Sequence, residues 1–247
     1  MIYQVEYAGH AVRYALRWSG TRLFFGEYIH ETTGEAYDVR TTDEWMEHIR
    51  TLMPADAPPA AVEYRSLIRL TSQPLLRHGC AIMHAAAFLW RDRAWLVTGP
   101  SGVGKTTQFR NWQRLFPGEV QMICGDMPVL EGRDDGSVWV HPSPWNGKER
   151  MGDRSLCAPL GGVVRLAQTA ENNIYPLPVC DAIPVLFRQF MVRLEDEGEI
   201  VALSVLVERM LQYAPVWLLE NRGDDASTKL LRRTLLETVK GGCHETL

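Results

Sequence analysis

"GPSGVGKTT", residues 99–107, follows the apolar run "AWLVT" and packs three glycines, one lysine and two threonines into nine positions. Residues 99–106 fit G-x-x-x-x-G-K-[ST] at every fixed position. Gly99, Gly102 and Gly104 permit backbone angles closed to other residues and keep side chains out of the way. Consecutive N–H groups of Gly99, Pro100, Ser101, Gly102, Val103, Gly104, Lys105, Thr106 and Thr107 (proline excepted) then form a concave cradle for phosphate oxygens. A helix starting near Gly104 adds its positive end. Lys105 is expected to reach the β and γ phosphates of ATP, and the Thr106 hydroxyl to ligate Mg²⁺. A glycine-rich turn can match such a pattern by chance. Here an apolar strand precedes the loop and a helical pattern follows it, as phosphate binding requires.

A carboxylate is expected at the end of a neighbouring strand, to complete the Mg²⁺ shell or take a proton. "VQMICGDMPVL" supplies Asp126 after an apolar run. The competing reading is an aspartate that merely caps a turn.

Around this centre the texture is that of an α/β protein. "IMHAAAFLW" and "AWLVTG" read as a buried hairpin, and "GKTTQFRNWQRLF" as a helix ended by Pro117-Gly118. "VQMICGDMPVL", "SVWVHPS", "LGGVVRLAQ", "NIYPLP" and "PVWLLENR" read as strands. Helices are expected over about 180–194 and 200–213, and "DASTKLLRRTLLETVK" closes the chain with an apolar stripe of Leu231, Leu235 and Val239. Upstream, "IYQVEYA", "AVRYALRW" and "RLFFGEY" read as strands. "TTDEWMEHIRTLM" reads as a helix capped by Thr42 or Asp43, and "AAVEYRSLIRLTSQPLL" as a helix interrupted near Pro74. The proline-rich "PADAPP" suggests a boundary, with 1–55 a strand-rich lobe or sheet extension and 56–247 the domain that carries the glycine loop.

The totals exclude several classes. A chain of 247 residues with 46% apolar and 23% charged residues fits one large globular domain. A net charge of -4 argues against nonspecific nucleic-acid binding. No apolar run approaches the ~20 residues of a membrane helix, and the charged, alternating start does not read as a signal peptide. Five cysteines without a CxxC pair point to reduced thiols and a cytoplasmic protein.

The stretch from His84 to Lys148 resembles the bacterial HPr kinase/phosphorylase family. The matching residues are His84, "AAAFLWRDRAWLVTG", "GPSGVGKT" and "GDMPVL". Phosphoenolpyruvate carboxykinases share that type of nucleotide fold. The run "GDMPVLEGRDDGSVWVHPSPWNGKE" looks closer still to small HPr-kinase-like proteins of peptide-modification gene clusters. The resemblance implies a mixed central sheet of the HPr kinase/phosphoenolpyruvate carboxykinase type with a P-loop, preceded by a small β-rich segment. It implies a kinase that uses ATP and Mg²⁺ to phosphorylate a hydroxyl, usually serine. Asp126 maps to the acid that takes the serine proton, and His84 to a histidine near the phosphates. The family carries two adjacent aspartates at the strand end, whereas this chain has Met127 second. That departure bears on the metal arrangement or on the reverse, phosphorylase-type reaction. The family's segment for gripping HPr is not recognisable here, so HPr is not the expected acceptor. A homo-oligomer is allowed.

Weaker signals surround the centre. Lys148 and Arg150 in "NGKER" are candidates to approach phosphates or an acidic peptide, against a plain solvated loop. His141 and Ser143 follow a strand end expected to face the same cleft; an ordinary turn is the alternative. Trp145 packs the loop or, with Gly147, presents Lys148. His84 is either a site residue or a core histidine satisfied by a backbone carbonyl.

Three functions remain open at this point. The first is a kinase acting on a serine of a peptide or protein, a precursor peptide among them, or on free serine. The second is a nucleotide-binding partner of a peptide-maturation assembly, weak in transfer, whose early strands add a peptide strand. The third, a nucleotide-hydrolysing switch, lacks an N/TKxD-type base-reading motif.

Overall fold

The computed structural model describes residues 2–30, 35–147, 149–192 and 196–241. It is a mixed α/β structure. The P-loop hairpin forms as the sequence suggests: β5 (Ala85–Trp90) pairs antiparallel with β6 (Arg93–Thr98). The turn residues Arg91 and Asp92 both carry positive φ, 52° and 58°, the turn sense that matches strand twist. The helix α4 (Lys105–Leu115) follows the loop.

The main sheet grows outward from this hairpin. β10 (Ala158–Gln168) lies parallel to β6, and β12 (Val216–Asn221) parallel to β10. On the other side, β7 (Gln121–Cys124) lies antiparallel to β5 and therefore runs in the same direction as β6. β11 (Asn173–Pro176) closes the far edge, antiparallel to β12. The first residues of β10 also pair with β9 (Val138–His141), which continues through β8 (Val129–Gly132) to β4 (Cys80–Ile82). The register slips between Leu160 and Gly162 because Trp95 packs there. A Cβ on Gly161 or Gly162 would fall 2.8 or 2.9 Å from its ring.

Alternation along the strands splits the core between two helical layers. Trp95 and Val97 face α4 and α7 (Asp225–Gly241), with Phe109, Trp112, Leu231 and Leu235. Leu96 and Ala87 face α5 (Val179–Phe187) and α6 (Glu197–Tyr213), with Leu186, Leu203 and Met210. Gln108, 2% exposed, ties α4 to α7 by hydrogen bonds to Ser227 (2.8 Å) and Thr228 (2.9 Å).

The N-terminal segment forms its own three-stranded sheet: β1 (Ile2–Tyr7), β2 (His10–Ala15) and β3 (Tyr37–Val39). Its inner face, Val5, Tyr7, Val12 and Tyr14, shares one core with Leu67 and Leu75 of α3 (Pro59–Leu76), Ile82 of β4, Met127 and Trp145. The outer edge of β1 is partly used, since Gln4 and His30 exchange two backbone hydrogen bonds.

Three local expectations are corrected. "RLFFGEY" is a short helix, α1 (Thr21–Phe25), and one 3-10 turn, Gly26–Tyr28, not a strand. Thr21 and Phe25, four apart, are buried while Leu23 is exposed. The buried Glu63 carboxylate accepts from the Arg17 and Trp18 N–H groups and from the Thr21 hydroxyl, which turns the chain into that helix. "VQMICGDMPVL" is two strands, β7 and β8, separated by Gly125–Pro128. α3 runs through Pro74, whose missing N–H falls in the last turn. The helix α2 (Asp43–Thr51) is capped by Thr42, which accepts from the Trp45 N–H at 3.1 Å. No helix among the described residues is long and apolar enough to cross a membrane.

Candidate functional site

Strand direction brings the candidate residues together. β6 and β7 run the same way, and β5 between them runs the opposite way. The residue before β5 and the residues after β6 and β7 therefore lie at one edge of the sheet. Those residues are His84, the loop from Gly99, and Gly125-Asp126. They line a cleft of about 420 Å³ with Ser101, Gly102, Gly104, Lys105, Thr106, Thr107, Gly147 and Glu149.

The loop has the backbone that phosphate binding needs. Gly99, Gly102 and Gly104 have φ of 142°, 81° and 103°, all closed or costly for residues with a Cβ. At Gly99 a Cβ would also sit 3.0 Å from the Leu166 carbonyl. Val103 is buried and pins the loop to the core shared by α4 and α7. Pro100 accepts from the Val103 N–H at 3.2 Å, closing a turn. The first N–H groups of α4 have no helical acceptor and point out of the helix start.

Lys105 folds back over the loop. Its ammonium lies 3.0 Å from the Gly99 carbonyl, 3.4 Å from that of Pro100 and 3.3 Å from His84 Nε2. Burial lowers its pKa, and the Asp126 carboxylate works against that shift. The cation is thus short of solvent and has no carboxylate in direct contact among the described residues, the state that a phosphate would relieve. His84 Nε2 stands 3.3 Å from Asp126 Oδ1, with both side chains partly exposed. Thr98 and Gln189 hold His84 from behind. The Thr98 hydroxyl donates to its carbonyl at 2.8 Å, and its N–H donates to the Gln189 carbonyl at 2.7 Å.

Asp126 is set by its neighbours in the chain and across it. Its carbonyl accepts from the Ala85 N–H at 2.8 Å. Gly125 is enclosed: a Cβ there would lie 2.7 Å from the Asn146 carbonyl and 2.9 Å from that of Met151. Asn146 and Met151 therefore close down on the strand end, and Gly147 packs against Asp126. Trp145 anchors this loop in the N-terminal core, stacked on Tyr7 at 5.5 Å. Met127 is buried in that same core, 2% exposed, and leaves Asp126 the sole acid of the strand end.

The structure separates the remaining candidates. Lys148 lies outside the described residues. Arg150 lines a neighbouring cavity with Phe24 and Asn146. His141 does not face the P-loop cleft. Its Nε2 donates to the Glu131 carboxylate at 2.8 Å, in a cavity with Arg133 and Cys157. The antiparallel register of β8 with β9 places Glu131 within reach of His141. Ser143 is buried and donates to the Met127 carbonyl at 2.6 Å, supporting the loop. Glu149 is a cleft residue that the sequence reading passed over; it pairs with Arg110 of α4 at 2.6 Å. Its only sequence signal is a place between Lys148 and Arg150. Thr106 and Asp126 face one cleft, and no cluster of three or more potential metal ligands occurs among the described residues. That sparse set fits Mg²⁺, which is held through one or two protein oxygens together with substrate phosphates.

No protein-family model and no curated protein matches the chain. Among solved structures, the Hpr(Ser) kinase/phosphatase from Coxiella burnetii is similar at 14% identity and a TM-score of 0.37. The similarity covers 66% of this chain and 97% of that one. A likeness that loose carries no functional argument, which rests instead on the residues of the cleft.

Proposed function

We propose that the chain is an ATP- and Mg²⁺-dependent kinase that transfers the γ-phosphoryl group to a hydroxyl, most simply a serine of a peptide or protein. The observation that carries this reading is that Lys105 Nζ and Asp126 Oδ1 each lie 3.3 Å from His84 Nε2 at the mouth of a glycine loop. The loop N–H groups and the helix start hold the β and γ phosphates. Lys105 leaves the Gly99 and Pro100 carbonyls and offsets the charge that builds on the transferring group. Asp126 accepts the proton of the acceptor hydroxyl, and His84 orients Asp126 and the phosphate between them. Thr106 and Asp126 would hold Mg²⁺, which would supply neutralisation of the phosphate charge. Glu149 faces the same space and limits where a second anion can sit.

The test is transfer from labelled ATP to serine peptides, repeated with Lys105→Ala and Asp126→Asn. Transfer that needs both side chains supports the reading; transfer indifferent to both defeats it. One observation favours a second reading. With Met127 buried, the strand end offers one carboxylate rather than two, which suits a nucleotide-binding partner of a peptide-maturation assembly. That reading expects ATP binding with no transfer to any hydroxyl.

A further inference from the structure

The P-loop cleft is lined by two carboxylates, Asp126 and Glu149, and by one lysine. Asp126 has a role in the proposed transfer. Glu149 has none, and its negative charge faces the space that a polyphosphate would enter. Its partner is Arg110, whose Nη2 donates to Glu149 Oε2 at 2.6 Å. Arg110 stands three and four positions after Thr107 and Thr106 on α4, so the three share one flank of the helix. Long helical side chains lean toward the helix start, and here that start carries the N–H groups of the phosphate cradle. Glu149 reaches the Arg110 guanidinium from the other wall. It comes two residues after Gly147, which packs on Asp126, and so begins at most ~7 Å of chain away from Gly147. The pair therefore spans the cleft from the Asp126 side to α4.

The form of this pair differs from that of two others on α4 and α7. Arg232 grips both oxygens of Glu119, at 2.8 and 2.7 Å, and Arg114 grips both oxygens of Asp225. Arg110 sets one nitrogen against one oxygen, and its other donors have no partner among the described residues. Its side chain is 63% exposed and that of Glu149 41%. An open, single-point pair of this kind adds little to folding and parts easily. A polyphosphate offers the same guanidinium two oxygens at once, with more charge than one carboxylate, and so matches its fork. At Arg110 the Glu149 carboxylate thus sits as a phosphate oxygen would.

We propose that Arg110 is a second cation for the phosphates and that Glu149 is its internal competitor, a carboxylate that holds the guanidinium at the cleft mouth until a polyphosphate takes it over. The inference rests on the reading of the cleft as a phosphate site, and binding alone tests it. The probe is inorganic tripolyphosphate with Mg²⁺, which carries the phosphates without base or sugar. It is titrated by calorimetry into the full chain as wild type, Glu149→Gln, Arg110→Ala, Arg110→Lys and the double variant Arg110→Ala/Glu149→Gln. The two single changes are expected to act in opposite directions: Glu149→Gln binds roughly five-fold more tightly and Arg110→Ala roughly ten-fold more weakly. Arg110→Lys recovers part of the loss. The gain from Glu149→Gln shrinks once Arg110 is gone, because it comes from freeing the guanidinium. A pair that only holds the loop in place would be broken by either change, so weaker binding in both single variants overturns the inference. A gain from Glu149→Gln as large without Arg110 as with it also overturns it, since Glu149 would then merely repel the anion. Wild-type binding that neither variant alters leaves the phosphate site standing and removes only this inference. No binding of tripolyphosphate or of ATP by any form defeats both.

Discussion

The molecule contains two histidine–carboxylate contacts, and they behave differently. His141 and Glu131 touch at 2.8 Å, and the Arg133 guanidinium pairs with the same carboxylate at 2.9 Å. Burial would raise the Glu131 pKa, but the donors on Arg133 and His141 outweigh it and hold it low. This is a closed pair with its charge balanced by neighbours. His84 and Asp126 stand 3.3 Å apart beside a lysine whose closest partners are loop carbonyls and the His84 ring. Around them the backbone is bent into left-handed glycine conformations. The two pairs differ in what stays unbalanced, more than in which residue types meet.

Matched substitutions are the strongest way to break that contrast. Lys105→Ala should lower phosphoryl transfer on the order of 10²–10³-fold, while His141→Ala leaves transfer unchanged. A transfer assay on both variants decides it; equal losses would mean that the two pairs share one role. Gly125→Ala comes next. The added Cβ collides with the Asn146 and Met151 carbonyls, so the loop must lift. A stability loss of about 1–3 kcal/mol is expected by denaturant titration, with transfer reduced further than folding explains because Asp126 moves.

How much of this was readable beforehand differs between the same regions. The bent backbone of the glycine loop was legible because it is local: the residues of 99–107 carry it without help from elsewhere in the chain. His84 and Asp126 were legible as strand-end residues. Their meeting required the antiparallel β5 to sit between β6 and β7, a tertiary fact. His141 was misdirected for that reason, since β9 belongs with β8 and β4 on the other side of β10. The apolar run through "VQMICGDMPVL" hid a break because Gly125 sits in it, where the Asn146 and Met151 carbonyls leave no room for a Cβ. α1 was misread because its buried Glu63 partner lies over forty residues away. The place of Glu149 in the cleft depends on the same long-range closure.

Acid titration sharpens the comparison on the closed side. Burial holds the His141 pKa below its ordinary 6.5, so the folded state binds that proton more weakly than the unfolded chain. Stability should therefore fall as pH drops below 6.5, and further below 4.5 as Glu131 protonates. His141→Ala should remove the first part of that decline, at a cost of about 1–3 kcal/mol near neutral pH. Thermal melts across the range read both effects, and an unchanged acid limb in the variant would refute the assignment. The smallest effect lies on the open side. Burial depresses the Lys105 pKa from 10.5, and a triphosphate would raise it again. ATP binding at alkaline pH should then take up a fraction of a proton, seen by calorimetry in buffers of different ionisation heat and absent in Lys105→Ala.

The most direct test separates holding the nucleotide from directing the acceptor. ATP·Mg²⁺ affinity and transfer to a serine peptide are measured side by side for wild type and Asp126→Asn. The account expects wild-type binding and transfer, and a variant that keeps ATP affinity within a few-fold while transfer falls by at least about 10²-fold. No ATP binding by the wild type, or transfer at the wild-type rate without the Asp126 carboxylate, would contradict it.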